Sequence, residues 1–288
     1  MPTVPFPDAR PFISEFRLLQ ARVSWTDRGP DDRLFAVRAL DSDNIRMKRV
    51  DSVPLKGATA VVSGGGRGIG LAIVRRLASL GSHVILTGRD ETLVKKVAAE
   101  LCDSGHSADG VRCDVSDLAD VEAFGQYLQE KYGRVDILAN NAGIGGPSGD
   151  LHKLAPTDWD AILNTNLRGV YYMMRAVVPL MISTGGGHII NISSLAGKNP
   201  LPRGVAYSAS KWALNGLSYG VAEELRGYNI RVSVVCPGSV NTEFSPHTGK
   251  SAERMLQADD VAHVVESLVT QAPQSFMSEV LLRPTQKP

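Results

Sequence analysis

A chain of 288 residues with 43% hydrophobic residues, 21% charged residues and a formal net charge of +1 has the make-up of an ordinary globular protein. That balance excludes a disordered polyelectrolyte and offers no basic surface of the kind that nucleic acid or an anionic membrane requires. Cys102, Cys113 and Cys236 show no CxxC spacing and the histidines no i, i+4 pair, so no disulfide framework and no metal site is expected, and a cytoplasmic location suits the thiols.

The first 54 residues mix Pro2, Pro5 and Pro7 with alternating acids and arginines. They show poor periodicity and read as a weakly structured extension without a secretory or transit signature. Met47, followed by Lys48 and Arg49 and then by Leu55-Lys56-Gly57, reads as the natural start of the chain, an expectation that the intact mass of the native protein checks. Residues 55–288 read as one domain. No apolar run reaches the roughly 20 residues that a membrane helix needs.

Within that domain the hydrophobic pattern predicts strands at 58–63, 83–87, 110–113, 135–140, 188–192, 231–236 and 279–283. Helices are predicted between them at 68–80, 90–102, 117–132, 156–182, 205–228 and 258–270. Such alternation implies right-handed crossovers and an α/β fold, a single doubly wound Rossmann domain. Its parallel sheet of about seven strands, in the order 3-2-1-4-5-6-7, has helices on both faces, and its ligand crevice lies at the carboxyl ends of the strands.

The first strand runs into Ser63-Gly64-Gly65-Gly66-Arg67-Gly68-Ile69-Gly70, at the start of a helix. Bare backbone N–H groups and a helix dipole can receive a pyrophosphate there, and glycines let the backbone come close. The spacing is Gly64-xxx-Gly68-x-Gly70 rather than GxGxxG, and a glycine run read alone is also a plain flexible turn. After the second strand comes Arg89, with no carboxylate before Asp90. Arg67 and Arg89 are therefore candidates to clamp a ribose 2′-phosphate, which favours NADP(H) over NAD(H). Asp114, beside Val115, is a candidate for an adenine contact or for a helix start.

Tyr207 and Lys211 lie four apart in a helical pattern, with Cβ atoms roughly 6 Å apart. A neighbouring ammonium favours phenolate, and bringing a phenol from about pH 10 to about 7 takes roughly 4 kcal/mol. A phenol so tuned exchanges protons with an alkoxide or alcohol. Ser194, at the end of the strand at 188–192, can hydrogen-bond the same substrate oxygen. Each of these features alone is commonplace.

Taken together and in order, they resemble the short-chain dehydrogenase/reductase family in its compact single-domain branch. The matching pieces are Ser63 to Gly70 against a TGxxxGIG pattern, Asp114-Val115, Asn140-Asn141-Ala142-Gly143, Asn166, Ser194, Tyr207 with Lys211, and Pro237-Gly238 with Thr242, spanning residues 55–245. The resemblance implies that Tyr207 is the acid/base and that Ser194 orients the substrate oxygen. It implies that Lys211 holds the nicotinamide ribose and that Asn166 holds a water leading protons toward Lys211. Asn140, Asn141, Ala142 and Gly143 would brace the central sheet and line the cofactor cleft with the glycine turn, Thr242 would fix the nicotinamide carboxamide, and Pro237, Gly238 and Val240 would also bind the cofactor.

Phe244 to Leu256 would form a lid over the substrate. The tail from Phe276 to Thr285 is more similar to carbonyl and hydroxy-acid reductases than to 3-oxoacyl reductases, which stay as the alternative. A dinucleotide-sensing scaffold without chemistry is the alternative of another class, although Tyr207, Lys211 and Ser194 are all present. An extended-branch epimerase is disfavoured by the short stretch after Thr242. The family's habit of pairing its two long helices implies a homodimer or homotetramer.

Overall fold

The computed structural model describes residues 54–244 and 251–287. The expected N-terminal extension with Met47, and the part of the expected lid that holds Pro246 and Gly249, lie outside those residues.

In chain order the main strands are β1 (Thr59–Ser63), β2 (His83–Gly88), β3 (Ser107–Arg112), β4 (Ile137–Asn140), β5 (Gly187–Ile192), β6 (Ile230–Pro237) and β7 (Glu279–Leu282). All run parallel, in the order β3-β2-β1-β4-β5-β6-β7, as the alternating pattern predicts. β1 and β4 are buried along their whole length, which is why they read as continuous apolar runs rather than as alternation. The strand order reverses between β1 and β4, so the crevice of a doubly wound sheet opens at their carboxyl ends.

The helices are α1 (Gly68–Ser79), α2 (Glu91–Asp103), α3 (Leu118–Lys131), α4 (Pro156–Leu163), α5 (Gly169–Ser183), α6 (Val205–Leu225) and α7 (Ala258–Val269). Ile73, Leu77, Ala98, Val265 and Leu268 from α1, α2 and α7 pack on Val62, Leu86 and Ile190 of the sheet. On the other face Phe124, Leu128, Met173, Val177 and Leu214 from α3, α5 and α6 pack on Val61, Ile85 and Ile189. Successive strand residues thus serve opposite cores, as a period of two requires. Asp90 and Asp117 cap α2 and α3 by accepting the N–H of Leu93 at 3.0 Å and of Ala119 at 2.8 Å.

Two expectations need correction. The strand at 110–113 begins three residues earlier, at Ser107, because Ser107 to Asp109 pair with His83 to Ile85 on a polar sheet edge that shows no hydrophobic signal. The helix at 156–182 is interrupted by a π turn at Asn164–Arg168. A two-residue parallel ladder joins Val240–Asn241 to Leu256–Gln257, too short for any periodicity to reveal.

Candidate active site

β1 delivers Ser63 to the crevice. Its Oγ accepts the backbone N–H of Asn141 and of Ala142, both at 3.1 Å, and Asn141 Nδ2 donates to the carbonyls of Ser63 and Gly64, also at 3.1 Å. These bonds tie the glycine turn to the end of β4. Gly64 has φ +66°, and a Cβ there would come within 3.0 Å of Ala142 Cα. A Cβ on Gly70 would lie 2.1 Å from the Gly64 carbonyl oxygen. α1 starts with no side-chain cap and no acid in its first turn, so its leading N–H groups and positive dipole end are left to an outside anion. A turn whose glycines are required by close backbone packing or positive φ, at an uncapped helix start with free N–H groups, fits a dinucleotide pyrophosphate.

Around this turn, Gly68 lies against Thr242, whose Cγ2 is 3.5 Å from where a Gly68 Cβ would be. Gly66 packs toward Leu93, and Ile69 leans on the core shared by α1 and α7. Gly238 donates its N–H to the Leu282 carbonyl at 2.8 Å, which anchors the chain after Pro237, and Val240 is buried. Arg89 is exposed at the end of β2. Arg67 is exposed as well, and its ion partner is Glu243, a residue outside the expected set. Asp114 Oδ1 accepts from Ser116, at 3.0 Å from N and 2.7 Å from Oγ, while the helix cap falls to Asp117. Val115 is buried against α5, where a Cβ on Gly169 would meet it at 2.9 Å.

At the end of β5, Ser194 Oγ accepts the Ala196 N–H at 3.1 Å and hydrogen-bonds the Tyr207 phenol. Lys211, one turn further along α6, is 4% exposed, and its Nζ donates to the Ile192 carbonyl at 2.9 Å. The Phe244 ring lies 5.9 Å from that of Tyr207, tilted by 52°. Asn166 is fully buried in the π turn; its Oδ1 accepts the Ile144 N–H at 2.8 Å, and its Nδ2 donates to the Ile144 carbonyl at 2.9 Å and to Ser210 Oγ at 3.1 Å. The Asn166 amide thus braces the loop after β4.

Electrostatically, the protein groups do not lower the phenol as the i, i+4 spacing suggests. Burial pushes the Tyr207 phenol above its ordinary value, and the hydrogen bond from Ser194 pulls it part of the way back. Burial pushes Lys211 down to about 8. The ammonium is held on a β5 carbonyl, 5.8 Å from the Tyr207 ring centroid, so spacing on one helix face brought the pair together without aiming Nζ at the phenol oxygen. What results is a protonated phenol, held by a serine hydroxyl, with a cation behind it. That set can give a proton to an oxygen placed beside Ser194.

Several residues that steady this group escaped the sequence reading. Ser208 Oγ donates to the Ala196 carbonyl at 2.7 Å and Asn215 Nδ2 to the Gly197 carbonyl at 2.9 Å, so both clamp the Ser194 turn onto α6. Asn191 Nδ2 donates to Ser218 Oγ at 2.8 Å, and Asn191 Oδ1 accepts at 2.9 Å from Nδ2 of Asn140, a residue the matched motif already held, linking β4 through β5 to the same helix. The signal was available: polar residues at 208, 211, 215 and 218 form a stripe on one helical face.

Residues 58–253 match the short chain dehydrogenase family. An uncharacterized oxidoreductase of Staphylococcus saprophyticus is 34% identical over 237 residues, 81% of this chain and 99% of that one. A metagenomic short-chain oxidoreductase solved in complex with NADP is similar at 48% identity and a TM-score of 0.73, covering 81% of this chain and 100% of that one. The actinorhodin polyketide ketoreductase solved with NADPH is similar at 33% identity and a TM-score of 0.72, covering 78% of this chain and 95% of that one. Among the described residues no helix is long and apolar enough to cross a membrane, and no cluster of His, Cys, Asp or Glu is placed to hold a metal.

Proposed function

This chain belongs to the short-chain dehydrogenase/reductase family of oxidoreductases, and on that premise we propose that it moves a hydride between NADP(H) and a carbonyl or secondary alcohol carbon, with Tyr207 as general acid/base. The observation that carries the reading is the meeting of the Ser194 hydroxyl and the Tyr207 phenol over a buried Lys211 at the carboxyl end of β5. Arg67 and Arg89, with no carboxylate between β2 and Asp90, support the phosphorylated cofactor, as do the NADP and NADPH bound by the similar solved proteins.

When bound, the nicotinamide supplies or takes the hydride. In the reducing direction Tyr207 Oη donates its proton to the oxygen of the former carbonyl, and Ser194 Oγ donates a hydrogen bond that holds this oxygen beside the phenol. Lys211, cationic below about pH 8, lies behind the ring and stabilises by its charge the phenolate that is left, and a solvent proton restores the phenol. The turn from Gly64 to Gly70 offers the pyrophosphate its backbone N–H groups at the start of α1, and Asn141, Ala142 and Gly143 form the adjoining wall. Asn166 keeps that wall in place through Ile144.

Steady-state turnover with NADPH and NADH over ketones, aldehydes, diketones, hydroxy acids and 3-oxoacyl thioesters tests this reading. Turnover of a carbonyl with NADPH is the expected result. Binding of NADPH with no turnover on any carbonyl would turn the assignment to a dinucleotide sensor.

The buried lysine also has a consequence for stability. The folded chain releases the Lys211 proton near pH 8, while the unfolded chain keeps it to about 10.5. Between those values the unfolded state binds more protons, so the penalty for burying this cation is present at pH 7 and fades as the pH rises through that window. Lys211→Met should therefore show its largest Tm gain over the wild type at pH 7 and a smaller one at pH 10, as measured by thermal melts. A gain that grows with pH would contradict this.

A further inference from the structure

Arg67 Nη1 and Glu243 Oε2 stand 3.7 Å apart, with side-chain exposures of 72% and 78%. Arg67 belongs to the glycine turn, and Glu243 follows Thr242, which packs on Gly68 in the same turn. A carboxylate therefore faces the guanidinium of an arginine suited to phosphate. Among the described residues Arg67 has no other ion pair.

A guanidinium serves one oxyanion at a time with its best geometry, and a phosphate dianion offers more charge than a carboxylate. We infer that Glu243 is a cofactor-selectivity residue: it holds Arg67 by its guanidinium, must be displaced by the ribose 2′-phosphate, and so weakens binding of the phosphorylated dinucleotide while leaving the unphosphorylated one untouched. The inference rests on the NADP(H) reading above. It adds a residue that opposes that preference, whereas Arg67 and Arg89 favour it.

The test is a fluorescence titration of the full chain with NADPH and with NADH, for the wild type, Glu243→Gln, Arg67→Gln and the double variant. Exposed ion pairs set the scale, so Glu243→Gln should tighten NADPH about two- to fivefold and leave NADH unchanged. In the Arg67→Gln background the same substitution should do nothing to NADPH, and added salt should shrink the gain. Unchanged or weaker NADPH binding by Glu243→Gln overturns the role of Glu243. Equal gains for both dinucleotides overturn it too, since Arg67 would then serve the pyrophosphate. A wild type that does not prefer NADPH to NADH sinks the cofactor reading as well, whereas a wild-type preference with an inert Glu243→Gln sinks this inference alone.

Discussion

Tyr207→Phe is expected to lower kcat for carbonyl reduction by about 10²- to 10⁴-fold, the range that a positioned general acid contributes. Phenylalanine keeps the ring, its burial and its contact with Phe244 at 5.9 Å, and removes only the hydroxyl that Ser194 engages. Because burial already favours the uncharged phenol, the loss of the hydroxyl leaves no buried charge behind, and the melting temperature should stay near that of the wild type. NADPH affinity should change little, so that the defect falls on kcat rather than on binding. Stopped-flow measurement of NADPH oxidation in a single turnover checks the chemical step itself. A variant that still turns over at the wild-type rate would show that another group gives the proton.

Gly70→Ala is expected to damage both the fold and cofactor binding. The new carbon would lie 2.1 Å from the Gly64 carbonyl oxygen and 2.5 Å from Asn141 Nδ2, atoms that are themselves bonded to each other at 3.1 Å. Neither can retreat without opening the link between the glycine turn and β4. Forcing a methylene into such a contact costs about 1–3 kcal/mol or more, against which the better helix propensity of alanine offsets about 1. For a domain of this size that is a drop in Tm of several degrees, about 2–4 °C per kcal/mol, together with loss of NADPH binding. Isothermal titration and a thermal melt read the two effects, and tight NADPH binding by this variant would remove the glycine turn from the proposed cofactor site.

Much of this was legible before any coordinates because it is written in residue type. Buried parallel strands need runs such as Ala60-Val61-Val62, and the glycines at 64, 68 and 70 stand where no Cβ fits or where φ is positive. What stayed hidden is set by tertiary aim. That Lys211 turns to the Ile192 carbonyl, that Asn166 spends its amide on Ile144, and that Arg67 finds Glu243 are outcomes of how distant segments meet. A side chain's position on a helix face does not specify them. The start of β3 at Ser107 was missed because pairing at a polar edge is made by backbone groups, which every residue carries.

Ile162, Asn166, Val170 and Met174 are all buried, at steps of four residues. In a regular α-helix each such step drifts about 40° around the axis, and three of them would swing the last residue well out of line with the first. The widened coil at Asn164–Arg168 absorbs that drift. It acts as a phase corrector, letting one rod answer two clients: α4 stays aligned with α6, and α5 with α3 and the sheet. The irregularity is thus what allows a polar amide to stand among hydrophobic neighbours at the one azimuth where the loop after β4 can be reached.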